Sequence, residues 1–198
     1  GFVVAPVAVT KSMRWFWAED EATLVHFDSV GARCLAQLEE LAEEGLMMYS
    51  ACFVVVQGDL GPMEVKEHTD WAHRRIPRGA CFTCLTTLTP LPHSVAGLHV
   101  WPWVGEEHVC TYSQSDFVAI DGKLLHRTEP FRYTWDPTDA NTCMSYQESG
   151  HLRVLVSLSF GSRRARLAPY ILKVLRGMVP RAAAVRSSPS TYVDSDSE

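Results

Sequence analysis

Phe117-Val118-Ala119-Ile120-Asp121-Gly122-Lys123-Leu124-Leu125-His126-Arg127-Thr128 is the stretch that decides the fold class. Two short apolar, strand-like runs flank Asp121-Gly122, a dipeptide suited to the tight turn of a β-hairpin. The same texture recurs on either side. Leu46–Gln57, Cys81–Thr89, His108–Tyr112 and Leu152–Phe160 are rich in β-branched and aromatic residues. Turn-forming residues fall between these runs, at Gly58 to Pro62, Pro90-Leu91-Pro92, Pro102, Gly105 and Asp136-Pro137, and Trp101-Pro102-Trp103 reads as a turn. Short strands with regular punctuation predict a mainly β barrel or sandwich with helices packed outside it.

Helical spacing is clear in two places. Leu35, Leu38, Leu41 and Ala42 predict a helix over Asp28–Glu44, with Asp28 or Ser29 as its cap and Gly45 as its end. Ala168–Met178 predicts a second, with Pro169 in its first turn. The expected organisation is one domain over residues 1–180, with a helical N-terminal part at about 18–45 and the barrel at about 46–162. The polar stretch Arg132–Gly150 reads as a long loop. Residues 181–198, ending Asp194-Ser195-Asp196-Ser197-Glu198, read as a disordered acidic, Ser-rich tail.

Composition narrows the function classes. The 198 residues are 46% hydrophobic and 21% charged, with a net charge of −5, so bulk charge does not mark a polyanion binder. Local basic runs at Arg74-Arg75 with Arg78, and at Arg163-Arg164 with Arg166, would suit an anionic partner, although a solvated face is the simpler reading. No stretch approaches the ~20 apolar residues of a membrane helix, and Gly1–Val9 lacks the basic start of a signal peptide. Of the six cysteines, Cys81 and Cys84 have the spacing of a zinc or redox pair but no second pair to complete it. On a strand they would point to opposite faces. Free thiols predict a reducing compartment, hence an intracellular protein of cytoplasm or nucleus.

The chemistry-bearing residues begin with His68-Thr69-Asp70. On a strand, residues i and i+2 share a face, so an imidazole and a carboxylate can reach one metal ion while Thr69 points away. His126, at the end of the strand after Asp121-Gly122, would complete two histidines and one carboxylate, the donor set that leaves three positions open on an octahedral Fe(II). In the last strand, Arg153, Leu155 and Ser157 share a face. An arginine heading such a strand toward a barrel interior needs an anion, and its guanidinium grips a carboxylate bidentately. A hydroxyl four residues on could donate to the same group. His73, His93, His99, His108 and His151 compete for the ligand role, but none has a partner at His-x-His or His-x-x-x-His spacing. Trp71, Trp101, Trp103 and Trp135 are candidates for a substrate mouth, or for core.

His-x-Asp, a distal His after a Gly-containing turn, and an Arg-x-x-x-Ser strand ending in an aromatic resemble the 2-oxoglutarate/Fe(II)-dependent dioxygenase superfamily. The likeness covers Cys52 to Phe160 and includes features of its prolyl-hydroxylase-like branch. It implies a double-stranded β-helix, or jelly roll, in which His68, Asp70 and His126 bind Fe(II). It also implies that Arg153, helped by Ser157, binds the distal carboxylate of 2-oxoglutarate. The implied chemistry couples oxidative decarboxylation of 2-oxoglutarate by O2 to oxidation of a C–H bond in a protein side chain, a peptidyl proline in particular, or a small molecule. Ascorbate would be an accessory reductant. The interval from His126 to Arg153 is longer than the family's usual spacing, which leaves Arg132 as a rival anchor. Two alternatives stand beside this reading. One is a nucleobase-oxidising enzyme of the TET/JBP or AlkB kind, using Arg74, Arg75 and Arg78 with a flipped base. The other is a catalytically inactive jelly roll acting as a binding module.

Overall fold

The computed structural model describes residues 1–5, 13–42, 45–57, 66–88, 98–103, 105–110, 116–128 and 152–187. Its strands are β1 (Phe2–Ala5), β2 (Met13–Ala18), β3 (Leu46–Gln57), β4 (Cys81–Thr87), β5 (Leu98–Trp103), β6 (Glu106–Cys110), β7 (Val118–Asp121), β8 (Leu125–Thr128) and β9 (Leu152–Ser162). Its helices are α1 (Glu21–Val25), α2 (Asp28–Glu39) and α3 (Ala168–Met178). A six-stranded sheet runs β1-β2-β3-β9-β4-β7, and a three-stranded sheet runs β6-β5-β8. All the pairings between these strands are antiparallel. This is the mainly β, two-sheet architecture expected of a jelly roll.

Alternation along the strands builds three apolar layers. Cys52, Val54, Val56 and Leu155 of the large sheet pack with Leu98 and Val100 of the small one, closing the space between the sheets. The opposite face of the large sheet carries Ala51, Phe82, Val156, Leu158 and Phe160 against Leu24 of α1, Phe27 at the start of α2, and Cys34 and Leu38 within α2. A third cluster joins Tyr49, Trp71 and Ile76 to Ile171 and Leu175 of α3. Cys84 sits in the second cluster and Cys81 in the third, as period-2 alternation requires. The five described cysteines are free thiols.

The N-terminal part departs from expectation. Two strands, β1 and β2, precede the first helix and extend the large sheet from β3, with Trp15 opposite Val54 and Trp17 opposite Cys52. The helical region splits in two: Asp20 caps α1, its carboxylate accepting from Thr23 N at 2.7 Å. Helix α2 starts at Asp28 but ends at Glu39 rather than Glu44. Helix α3 has the predicted bounds.

Three further expectations are corrected. Asp121-Gly122 closes no hairpin, because β7 pairs with β4 in the large sheet and β8 with β5 in the small one. Asp121 accepts locally from Lys123 N, and three tertiary hydrogen bonds pin the turn: Gly79 N donates to Asp121, Gly122 N to Cys81 O, and Trp71 N to Gly122 O. The chain crosses here from one sheet to the other. The tight hairpin of the small sheet lies at Gly105, φ 88°, where Trp103 pairs with Glu106. Trp101-Pro102-Trp103 therefore belongs to β5, and Pro102 falls where the β5–β6 register breaks, the place a strand tolerates a residue without N–H.

The third correction concerns the tail. Residues 181–187 are docked. Ala184 N donates to Ala18 O and Arg186 N to Tyr49 O. The Arg186 guanidinium forks onto both oxygens of Asp28, at 2.8 and 3.0 Å, and reaches Glu21 at 2.8 Å. Residues 188–198 and the expected loop at 132–150 lie outside the described residues.

Candidate metal centre

His68, Asp70 and His126 come together with one potential ligand atom each, all within 4.8 Å of one another. Among the described residues this is the one such group of His, Cys, Asp and Glu. His68 does not lie on a regular strand. It makes a single antiparallel bridge to His126, with N–H···O bonds of 2.9 Å in both directions. Two backbone bonds thus fix the imidazoles side by side, ring centroids 4.5 Å apart. Asp70 follows in a turn held by the bond from Trp71 N to Gly122 O. The i, i+2 reasoning still places imidazole and carboxylate on one side, but the bridge to β8, not a ladder, enforces it.

Each donor is oriented from behind. His68 Nδ1 lies 2.8 Å from Lys66 O, and His126 Nδ1 lies 3.0 Å from Leu124 O. A ring nitrogen facing a carbonyl carries the proton, which leaves both Nε2 lone pairs for the common point. Those Nε2 atoms stand 3.4 and 3.6 Å from Asp70 Oδ1. The other carboxylate oxygen, Oδ2, accepts from Thr83 Oγ1 at 2.6 Å. Thr83 escaped sequence reading because it is one of several hydroxyls in the β4 run; only the β4–β9 and β4–β7 registers bring it under Asp70.

Burial is uneven. The His126 side chain is 6% exposed, Asp70 12% and His68 56%, so solvent reaches the cluster from the His68 side. Burial pushes the Asp70 carboxyl up, but the hydrogen bonds from His68 and Thr83 and the nearby His126 hold it below the ordinary carboxylate value. The hydrogen bond to Asp70 raises the His68 imidazole, against its own desolvation.

Position 153 is the second residue of β9, opposite Val56 and at the parity of Leu155 and Ser157; its side chain lies outside the described residues, as does Arg132. Ser157 is half-buried between Cys52 and Leu85, and its hydroxyl hydrogen-bonds the buried Cys52 thiol, whose pKa burial pushes up. His73 stacks on Tyr170, His99 pairs with Glu107, and His108 is exposed beside Glu106. His93 and His151 lie outside the described residues. Trp71 is fully buried core, not mouth, and Trp101 lies under the Arg127 guanidinium.

The architecture has close counterparts among solved structures. The chain superposes on the non-haem α-ketoglutarate-dependent epimerase SnoN of nogalamycin biosynthesis with a TM-score of 0.56 at 13% identity, covering 82% of this chain and 66% of SnoN. A 2OG-Fe(II) oxygenase family oxidoreductase from Burkholderia pseudomallei gives 0.55 at 11% identity, covering 81% and 72%. The fold is that of the 2-oxoglutarate/Fe(II) oxygenases. HygX from Streptomyces hygroscopicus, solved with nickel and 2-oxoglutarate bound, gives 0.52 at 10% identity over 82% and 73% of the two chains. This chain thus spans about two-thirds of SnoN and somewhat more of the other two. No family model matches the sequence, and no curated protein matches it.

Proposed function

We propose that this chain is an Fe(II)- and 2-oxoglutarate-dependent dioxygenase that oxidises a C–H bond of a protein side chain or a small molecule. The observation that carries the reading is the convergence of the two Nε2 atoms on Asp70 Oδ1, with every other polar atom of the triad already engaged from behind. The donor set fits the metal: two neutral imidazoles and one carboxylate suit Fe(II), whereas a closed structural zinc site would need a fourth protein ligand. Asp70, kept ionised by its partners, supplies the one negative charge.

Bound iron and 2-oxoglutarate would supply the oxidising chemistry with O2, and ascorbate would maintain the reduced metal. The protein's own residues bind and orient. His126 and Asp70 form the buried wall of the site, His68 its solvent side, and Thr83, by holding Oδ2, leaves Oδ1 as the carboxylate oxygen that would take a metal. Arg153 is the proposed anchor for the distal carboxylate of 2-oxoglutarate, with Ser157 on the same row of β9. A guanidinium makes two parallel charge-assisted bonds to a carboxylate, so lysine there keeps the charge and loses the fork.

The test is an anaerobic titration of Fe(II) and then 2-oxoglutarate, followed by metal-to-ligand charge-transfer absorbance. Wild type is expected to bind one iron. His68→Ala, Asp70→Ala and His126→Ala are each expected to lose it. Arg153→Ala should keep iron but bind 2-oxoglutarate a hundred-fold or more weakly, since an unpaired buried charge costs about 3–5 kcal/mol. Loss of 2-oxoglutarate binding in Arg132→Ala but not in Arg153→Ala would move the anchor to Arg132. Unchanged iron stoichiometry in the three alanine variants would overturn the metal site.

A further inference from the structure

The charges of this acidic protein are segregated along the chain. Residues 71–105 and 149–193 contain none of the 23 acidic residues but 11 of the 18 lysines and arginines. The fold brings parts of these two stretches together. Arg75 donates to the Tyr170 hydroxyl and lies over its ring at 5.1 Å, while His73 stacks on the same ring at 5.0 Å and 26°. Lys123, from the turn between the sheets, reaches His73 O at 2.5 Å, and Gly79 N ties the Arg78 end of the loop to Asp121 at 2.6 Å. Lys173 and Arg176 follow Tyr170 on α3 at helical spacing and are exposed, as are Arg74, Arg75 and Arg78.

Among the described residues, none of these six cations pairs with an acidic side chain. Asp121, the acid beside them, has both oxygens occupied by backbone N–H groups. Lys173, Lys123, Arg74 and Arg75 all bear on His73, whose imidazole is pushed down first by desolvation and then by their charges. His73 is three residues from Asp70, and Lys123 is three from His126, so each lies within about 11 Å of the metal cluster along the chain. A concentrated cationic face thus lies beside an open site in a molecule of net charge −5, and the hydrogen bonds of Arg75 and Lys123 go to a hydroxyl and a carbonyl, which leave their charges unbalanced.

We infer that this face, built from the 73–78 loop, Lys123 and the exposed side of α3, docks the phosphate backbone of a nucleic acid strand. Four of the six cations are arginines, whose planar fork matches phosphate oxygens in a way an ammonium does not. The aromatic pair His73–Tyr170 lies among them, the interleaving that single-strand binders use. The inference rests on the charge map and not on the iron reading, and the two fail separately.

The experiment uses the full metal-free chain and a fluorescein-labelled single-stranded oligodeoxynucleotide, with binding read by anisotropy at several salt concentrations. Engagement of about four phosphates predicts a log–log salt slope of about −3, or a loss of ~50-fold between 50 and 200 mM salt. Arg75→Glu with Lys173→Glu is expected to weaken binding more than ten-fold and flatten the slope. The milder pair Arg75→Gln with Lys173→Gln, whose thermal melt is checked against wild type, should shift both the same way. Arg33→Glu, on the exposed side of α2, should change neither. Absence of binding, a slope near zero, equal loss in Arg33→Glu, or equal competition by polyglutamate or by phosphatidylserine vesicles would each overturn it.

Discussion

At the scale of single residues, three positions concentrate the constraints on the site. Gly122 is required for space, not for backbone freedom: the described glycines at positive φ are Gly79 and Gly105. A Cβ at 122 would stand 2.0 Å from Trp71 Cδ1 and 2.7 Å from Trp71 Cβ, and Trp71 is fully buried. Gly122→Ala should therefore destabilise by about 1–3 kcal/mol or more, read as a lower urea midpoint, and weaken metal binding because Trp71 follows Asp70 directly. An unchanged midpoint would mean the turn relaxes freely. His68 and Asp70 set opposite pH dependences. The raised His68 value means the metal-free fold gains stability from its protonation below the unfolded value, a gain lost as pH rises through the folded value. The depressed Asp70 value contributes stability above the unfolded value, lost as pH falls through the folded one. Metal competes with the His68 proton, so metal affinity should fall as pH drops through the raised His68 value. Isothermal titration at stepped pH reads this as proton release on binding; pH-independent affinity would contradict it.

At the scale of elements, the docked segment 181–187 behaves as a clasp on the helical side. Its Arg186 joins Glu21 of α1 to Asp28 of α2, while Ala184 and Arg186 hydrogen-bond Ala18, the last residue of β2, and Tyr49 within β3. Truncation after Ser187 should leave the melting temperature nearly unchanged. Truncation after Arg181 should lower it by several degrees, since about 1–3 kcal/mol of forked ion pairing and apolar contact is lost and each kcal/mol is worth roughly 2–4 °C at this size. Equal melting of the two truncations would show that the clasp contributes nothing. The same logic explains why the sequence reads this segment as tail. It has no apolar period: besides its backbone bonds and one arginine, only Ala183, Ala184 and Val185 pack against the core, each partly buried.

At the scale of the whole molecule, the candidate metal cluster bridges the two sheets. His126 belongs to β8 of the small sheet, whereas Asp70 is held by Thr83 of β4 in the large one. An ion bound there would link sheets that, among the described residues, apolar packing and the crossover at Asp121-Gly122 also join. Saturation at a hundred times the dissociation constant is worth about 2.7 kcal/mol, so Mn(II), a redox-quiet probe, should raise the melting temperature by roughly 5–10 °C. Asp70→Ala should melt at the same temperature with and without it. A shift of equal size in that variant would place the ion elsewhere.

Period and punctuation in the sequence determined the β class, both long helices, the opposite facing of Cys81 and Cys84, and the candidates His68, Asp70 and His126. These are local properties: alternation, spacing and residue chemistry are carried by neighbours in the chain. Tertiary structure decided what depends on partners far away. Asp121-Gly122 looks like a hairpin because its own residues favour one, yet Trp71, Gly79 and Cys81 supply the bonds that turn it into a passage between sheets. Trp15 and Trp17 join a sheet whose next strand starts at Leu46, beyond two helices, so nothing beside them announces it. The single His68–His126 bridge, the Thr83 hydroxyl under Asp70 and the meeting of two acid-free stretches at Tyr170 exist only once the chain has folded. Chemistry was legible residue by residue; which atoms face one another was not, because that depends on register between strands many residues apart.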